Sequence, residues 1–139
     1  MAVPERLAQI LELLEGLPEP LRSPFLLEYA ERMPEAEGLA LEAVEECQTP
    51  FALRVELDEA GRVRLAFKAP PSAPTVRAFG GILAEGLGGL TPEEVLAVPD
   101  DVFQGTALEA LVTPRRLAGL EAALRRIKAR VRELTASAC

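Results

Sequence analysis

The stretch FALRVELDEAGRVRLAFK, residues 51–68, indicates the fold most clearly because apolar and polar side chains alternate on both sides of a turn. This period of two predicts two β-strands that each bury one face. Between them, Asp58-Glu59-Ala60-Gly61 predicts a tight turn in which Gly61 adopts a positive φ. One apolar and one charged face are typical of an antiparallel hairpin with one side in water. The apolar face would consist of Phe51, Leu53, Val55, Leu57, Val63, Leu65 and Phe67.

Apolar residues at helical spacing predict helices on both sides of this hairpin. For the second helix, Pro24 makes Ser23, which can cap a helix, an alternative to a start at Pro20. The predicted helices cover residues 4–15, 20–33, 75–87, 92–98, 101–111 and 113–134. A hairpin with helices segregated around it predicts an α+β fold, an antiparallel sheet with helices packed on it. The length fits a single domain over residues 1–139.

A long acidic connection, residues 34–50, leads into the hairpin. Within it we expect residues 39–44 to form a short helical turn. Long ordered loops in small domains are more often functional than idle. Cys47 lies near the end of this connection, so the segment is the first place to look for a site.

Glycines are concentrated in residues 80–89, a pattern that invites comparison with phosphate-binding loops. No strand is predicted before this segment, and neither phosphate-binding glycine pattern nor its lysine is present. Close packing of a helix and a helix stop are therefore the expected roles of these glycines.

Charge and composition exclude several classes of function. The 139-residue chain has a net charge of −7, which disfavours nucleic acid as a partner. Charges or prolines interrupt every apolar run before it reaches a membrane-spanning length, and the first residues do not resemble a signal peptide. We therefore expect a cytoplasmic protein with no membrane partner. Residues 113–139 hold seven basic and two acidic groups, so they carry +5 and the first 112 residues carry −12.

The residues that the chain lacks exclude several kinds of catalytic and metal site. It has no histidine and only two cysteines, Cys47 and the last residue, Cys139. Zinc and iron–sulfur centres need several cysteine or histidine ligands, and histidine-assisted nucleophiles are impossible within this chain. We therefore predict no metal site and no bound cofactor. A lone thiol on a loop before a strand is the best remaining candidate for a reactive group, and an inert buried cysteine is the alternative.

Several motifs match a known family in order and spacing. They are Met33-Pro34 at the end of the second helix, Val44-Glu45-Glu46-Cys47-Gln48-Thr49, Thr91-Pro92-Glu93-Glu94-Val95, and Val112-Thr113-Pro114-Arg115-Arg116-Leu117-Ala118-Gly119-Leu120. Over residues 17–134 the chain resembles the SufE-like sulfur-acceptor proteins of iron–sulfur cluster assembly. It departs from their pattern where Glu45-Glu46 replaces a Pro-Gly pair, Ala52 replaces a tryptophan and Ser72 replaces an acidic residue.

The resemblance implies a fold and a role for particular residues. The family fold is a curled antiparallel sheet with helices packed on it. Cys47 would accept persulfide sulfur from a cysteine desulfurase of the Suf type, and Gln48 would shape its loop. The desulfurase would hold the pyridoxal phosphate, so only a transient persulfide would form on this chain. The sulfur would then pass to a downstream iron–sulfur scaffold.

The start of the last helix is a candidate partner-binding surface. Arg116 corresponds to a residue of the family pattern that would help to dock the desulfurase. Arg115 and Arg116 lie at the positive end of the helix dipole, where basic residues do not stabilise the helix. The alternative for Arg116 is a solvated surface arginine. The competing function is a non-catalytic binding module that uses the basic last helix, with Cys47 structural.

Overall fold

Helices flank a small antiparallel sheet, as the sequence predicts for an α+β fold. The computed structural model describes residues 3–38, 41–47 and 49–136. In chain order the elements are α1 (Glu5–Gly16), α2 (Glu19–Arg32), β1 (Glu42–Ala43), β2 (Ala52–Leu57), β3 (Val63–Lys68), α3 (Pro74–Leu87), α4 (Pro92–Leu96), α5 (Ala107–Leu111) and α6 (Pro114–Ala136).

The predicted hairpin forms as β2 and β3, with Leu53 opposite Phe67 and Val55 opposite Leu65. The apolar residues of both strands face the core, and Gly61 closes the turn at a φ of 80°. The sequence alternation therefore identified both the strands and the buried face, because the side chains of a strand alternate between its two faces.

The connection before the hairpin contributes a third strand rather than the helical turn expected over residues 39–44. β1 pairs antiparallel with β2, with Glu42 opposite Leu53. The N–H of Val44 also donates to the carbonyl of Phe51 at 2.8 Å. Pairing with the open edge of β2 satisfies these backbone groups, which is why a sheet edge prevails over local helical propensity. Residues 39 and 40 of the expected turn lie outside the described part of the chain.

The central element is α3, which packs against α1, α2 and β3. Its glycines allow this close packing, as predicted. A Cβ on Gly80 would meet the side chain of Met33, and one on Gly86 would meet Leu7. At Gly81, a Cβ would collide with the backbone carbonyl oxygen of Tyr29 in α2. The α2–α3 interface therefore requires glycine at this position.

Three helix boundaries differ from the predicted ones. α2 begins at Glu19 and accommodates Pro24 in its interior, so Ser23 is not its cap. The helix expected over residues 101–111 is reduced to α5, because turns precede it and Gly105 has a φ of 78°. α4 begins at the predicted Thr91 capping box and ends at Leu96.

The last helix, α6, packs its apolar stripe against β2 and α4. Leu120, Leu124 and Ile127 are fully buried in this interface. Lys128 is also buried, and its Nζ donates to Asp100 at 2.7 Å. α6 also lies beside the acidic connection, residues 34–50. No helix in the described part of the chain combines the length and hydropathy needed to cross a bilayer.

Candidate functional site

The thiol of Cys47 lies in a turn between β1 and β2. The N–H of Cys47 donates to the carbonyl of Val44 at 3.2 Å, and Val44 itself is buried. The turn interrupts the extended chain, so the strand alternation of the hairpin does not extend back to Cys47. The cysteine is free and half-buried. Its thiol is therefore neither sealed in the core nor fully exposed.

A cap at the start of α6 places two arginines beside this turn. The hydroxyl of Thr113 accepts a hydrogen bond from the N–H of Arg116 at 3.2 Å. Pro114 follows at the first helical position, which suits its fixed φ and its missing N–H. Arg115 and Arg116 are consequently held in the first turn of α6, where both are exposed.

The thiol and these two arginines share one cavity of about 160 Å³. The lining residues are Cys47, Thr49, Val76, Thr113, Arg115 and Arg116. Three of the four candidate site residues are therefore brought together, although the cysteine and the arginines are far apart in sequence. The fourth, Gln48, lies outside the described residues. No ion pair of the described residues engages Arg115 or Arg116, so both charges remain available to an anionic group.

Gly119 provides the surface on which the thiol packs. A Cβ on Gly119 would lie 3.5 Å from both Cβ and Sγ of Cys47, which is ordinary van der Waals distance. The thiol therefore rests against nearly bare helix backbone. A side chain longer than alanine at this position would occupy the space that the thiol now uses.

A second contact between the turn and α6 was not predicted. Nη2 of Arg126 donates to Oε1 of Glu46 at 3.0 Å. This hydrogen bond lowers the pKa of Glu46 and raises that of Arg126, and the nearby charges of Glu42 and Glu45 also favour the cationic arginine. The charge asymmetry between the acidic connection and the basic last helix was the available signal for such a contact.

A larger groove lies where β2 begins and β3 ends, but it offers few polar groups. It measures about 340 Å³ and is mostly apolar, with Lys68 as the one charged side chain among its described lining residues. That lining consists of Pro50, Phe51, Ala52, Lys68, Ala69, Pro70 and Pro71. Within residues 3–38, 41–47 and 49–136 there is also no cluster of three or more residues that could bind a metal ion. The smaller cavity at Cys47 is therefore the better candidate site.

Comparison with known proteins identifies the family. A family model described as SufE, an Fe-S metabolism associated domain, matches residues 8–131. The chain belongs to the SufE family. Its membership ties the protein to iron–sulfur metabolism and confirms the resemblance seen in the sequence motifs.

Relatives of the SufE family share both sequence and fold with the chain. SufE-like proteins from two strains of Mycobacterium tuberculosis, described as uncharacterized, are 47% identical over 113 residues, which is 78% of each chain. A SufE-like protein of Synechocystis is 27% identical over 121 residues, covering 84% of this chain and 74% of its own. The solution structure of a hypothetical protein from Thermus thermophilus matches with a TM-score of 0.87 and 52% identity, covering 94% of this chain and 96% of that one. The α+β fold is thus confirmed by a solved structure.

Proposed function

We propose that the protein accepts sulfur from a cysteine desulfurase on the thiol of Cys47, stimulates that enzyme and passes the sulfur on for iron–sulfur cluster assembly. The observation that carries this proposal is the shared cavity, in which one thiol meets two guanidinium groups that no described acid engages. SufE-family membership supports it, because that family suggests a cysteine desulfurase as the partner.

The proposed reaction is a thiol–persulfide exchange. The deprotonated Sγ of Cys47 attacks the terminal sulfur of a persulfide on the catalytic cysteine of the desulfurase. A new S–S bond forms on Cys47 as the S–S bond on the desulfurase breaks. The electron pair of the broken bond stays on the desulfurase cysteine, which takes up the proton that Cys47 released. The exchange involves no net oxidation, so it requires no redox cofactor on this chain.

The cofactor and the partners follow from that chemistry. The pyridoxal phosphate that generates the persulfide belongs to the desulfurase, which we expect to be of the Suf type. This chain carries the sulfur only as a transient persulfide on Cys47 and delivers it to an iron–sulfur scaffold in the cytoplasm. Arg115 and Arg116 would attract carboxylates of the docking enzyme, because complementary charges guide association.

The competing function, a binding module that uses the basic face of α6, is less well supported. Three basic side chains of this helix are engaged by acids of the chain itself: Arg126 by Glu46, Lys128 by Asp100 and Arg130 by Glu133. The available charge that adjoins the cavity is that of Arg115 and Arg116. Arg125 and Arg132 are also exposed and without an ion pair among the described residues, but they do not line the thiol cavity.

Docking is tested by a charge reversal at the rim of the cavity. We expect Arg116→Glu to raise the protein concentration that gives half-maximal desulfurase stimulation by about tenfold, because it replaces attraction by repulsion. A carboxylate near a helix N-terminus is compatible with the dipole, so the melting temperature should change by less than about 2 °C. The measurement is a titration of desulfurase turnover with the wild-type protein and the variant.

Arg132→Glu is the matched control for this titration. Arg132 is an exposed arginine of the same helix, sixteen residues from Arg116 and so about 24 Å away along the axis. The control changes the net charge equally and should leave the titration unaltered. Equal weakening by both variants would show a nonspecific charge effect, and unaltered stimulation by Arg116→Glu would refute the docking role.

A further inference from the structure

The turn that carries Cys47 is attached to α6 at two points. Gly119 lies directly against the thiol, and Arg126 binds Glu46, the residue before it. Gly119 and Arg126 are seven residues apart, which places them on the same face of the helix and about 10 Å apart along its axis. The long side chains of Arg126 and Glu46 span that separation.

The thiol itself makes no comparable attachment. In the described part of the chain, the side chain of Cys47 forms no hydrogen bond, and it packs only by van der Waals contact, against Gly119 and the apolar core. On the β1 side, the backbone pairing of Val44 with Phe51 fixes the start of the turn. The Glu46–Arg126 ion pair is thus the one side-chain hydrogen bond or ion pair between described residues that joins the thiol-bearing end of the turn to α6.

Building on the proposed sulfur-acceptor function, we propose that Arg126 is a positioning residue for Cys47. Its ion pair with Glu46 holds the thiol against Gly119 and limits how readily the thiol leaves the cavity to meet a reaction partner. The exposed fractions of the two side chains, 28% for Arg126 and 47% for Glu46, make this a pair that water can compete for. Such pairs are weak enough to open reversibly.

The surroundings of Arg126 reduce the free energy needed to break its ion pair with Glu46. Neither Nε of Arg126 nor Oε2 of Glu42 has a hydrogen-bond partner among the described residues, although both atoms are buried. The charge of Glu42 also favours the cationic form of Arg126. When Glu46 withdraws with the turn, Arg126 therefore keeps a carboxylate of β1 nearby as its counter-charge.

Alkylation of Cys47 by iodoacetamide tests this positioning role on the isolated protein, in a Cys139→Ser background. We expect Glu46→Gln and Arg126→Gln each to increase the alkylation rate about two- to fivefold, the range that corresponds to losing an exposed ion pair. Arg126→Lys, which keeps the charge, should restore at least part of the protection. Because iodoacetamide is uncharged, electrostatic attraction of the reagent cannot explain a change in the alkylation rate.

Glu46→Gln and Arg126→Gln together distinguish a positioning role of the ion pair from a direct effect of local charge on the thiol. Loss of a carboxylate and loss of a guanidinium change the local charge in opposite directions, but both break the same pair. If the ion pair positions the thiol, both variants are faster, and the double variant is no faster than the faster single variant. Rates that move in opposite directions, or that do not change, overturn the proposal.

Arg125→Gln serves as the control for charge. Arg125 is the exposed neighbour of Arg126 and makes no hydrogen bond to Glu46 among the described contacts, so its removal should leave the alkylation rate near the wild-type value. An equal acceleration in this variant would overturn the proposal. Because alkylation needs no desulfurase, its outcome is independent of whether Cys47 accepts sulfur, and the failure of either claim can be recognised separately.

Discussion

Replacing Cys47 by serine is expected to reduce desulfurase stimulation to the level of the desulfurase alone. A hydroxyl oxygen cannot form the S–S bond that the exchange requires, and no other thiol of the described residues lines the cavity. Serine has nearly the same shape, and the residue is half-buried, so the melting temperature should fall by no more than a few degrees. The measurement compares desulfurase turnover with wild-type and variant protein at saturating concentration.

Cys139→Ser is the matched control, because it removes the other cysteine of the chain by the same chemical change. Stimulation by this variant should equal that of the wild-type protein. If Cys47→Ser still stimulates turnover fully while remaining folded, Cys47 is structural and the binding-module alternative gains support.

The largest loss of stability is expected from Gly81→Ala. Its Cβ would collide with the carbonyl oxygen of Tyr29, and two packed helix backbones cannot separate locally without disturbing the core. We expect the free energy of unfolding to fall by about 3 kcal/mol, although alanine is intrinsically the better helix former. Urea denaturation monitored by circular dichroism measures this change.

Gly16→Ala provides the comparison for Gly81→Ala. Gly16 ends α1, and a Cβ there would meet no atom within 4 Å. The same substitution should therefore be neutral or stabilise the protein by about 0.5 kcal/mol. If Gly81→Ala lowers the free energy of unfolding no more than Gly16→Ala does, the close packing of α3 on α2 at Gly81 is contradicted.

The extent to which the sequence predicts the fold depends on whether the signal is local. The hairpin was predicted with its buried face because alternation and the turn at Gly61 are both encoded within eighteen residues. β1 was mistaken for a helical turn because a strand of two residues has no periodicity of its own and exists only through pairing with β2. The start of α5 was misplaced because local apolar spacing did not reveal the positive φ of Gly105.

The site shows the same division between local and long-range information. Cys47 was predicted as the reactive residue because the chain has no histidine and only one other cysteine, and because the motif around Cys47 matches the family. A docking role for Arg116 was predicted from family resemblance and from its place at the start of the last helix, but its position beside Cys47 was not predicted. The ion pair between Glu46 and Arg126 joins residues 80 positions apart, and no local pattern selects one arginine of α6 over its neighbours. Such pairs become visible only when the helix and the turn are placed in space.

The proposed function depends above all on sulfur arriving at Cys47. Intact mass spectrometry after incubation with a cysteine desulfurase and cysteine, followed by peptide mapping under non-reducing conditions, observes that step itself. We expect a mass gain of one sulfur atom, located on the peptide that contains Cys47 and lost on treatment with a reductant. A protein that stimulates the desulfurase but gains no sulfur on Cys47 would contradict the proposed transfer.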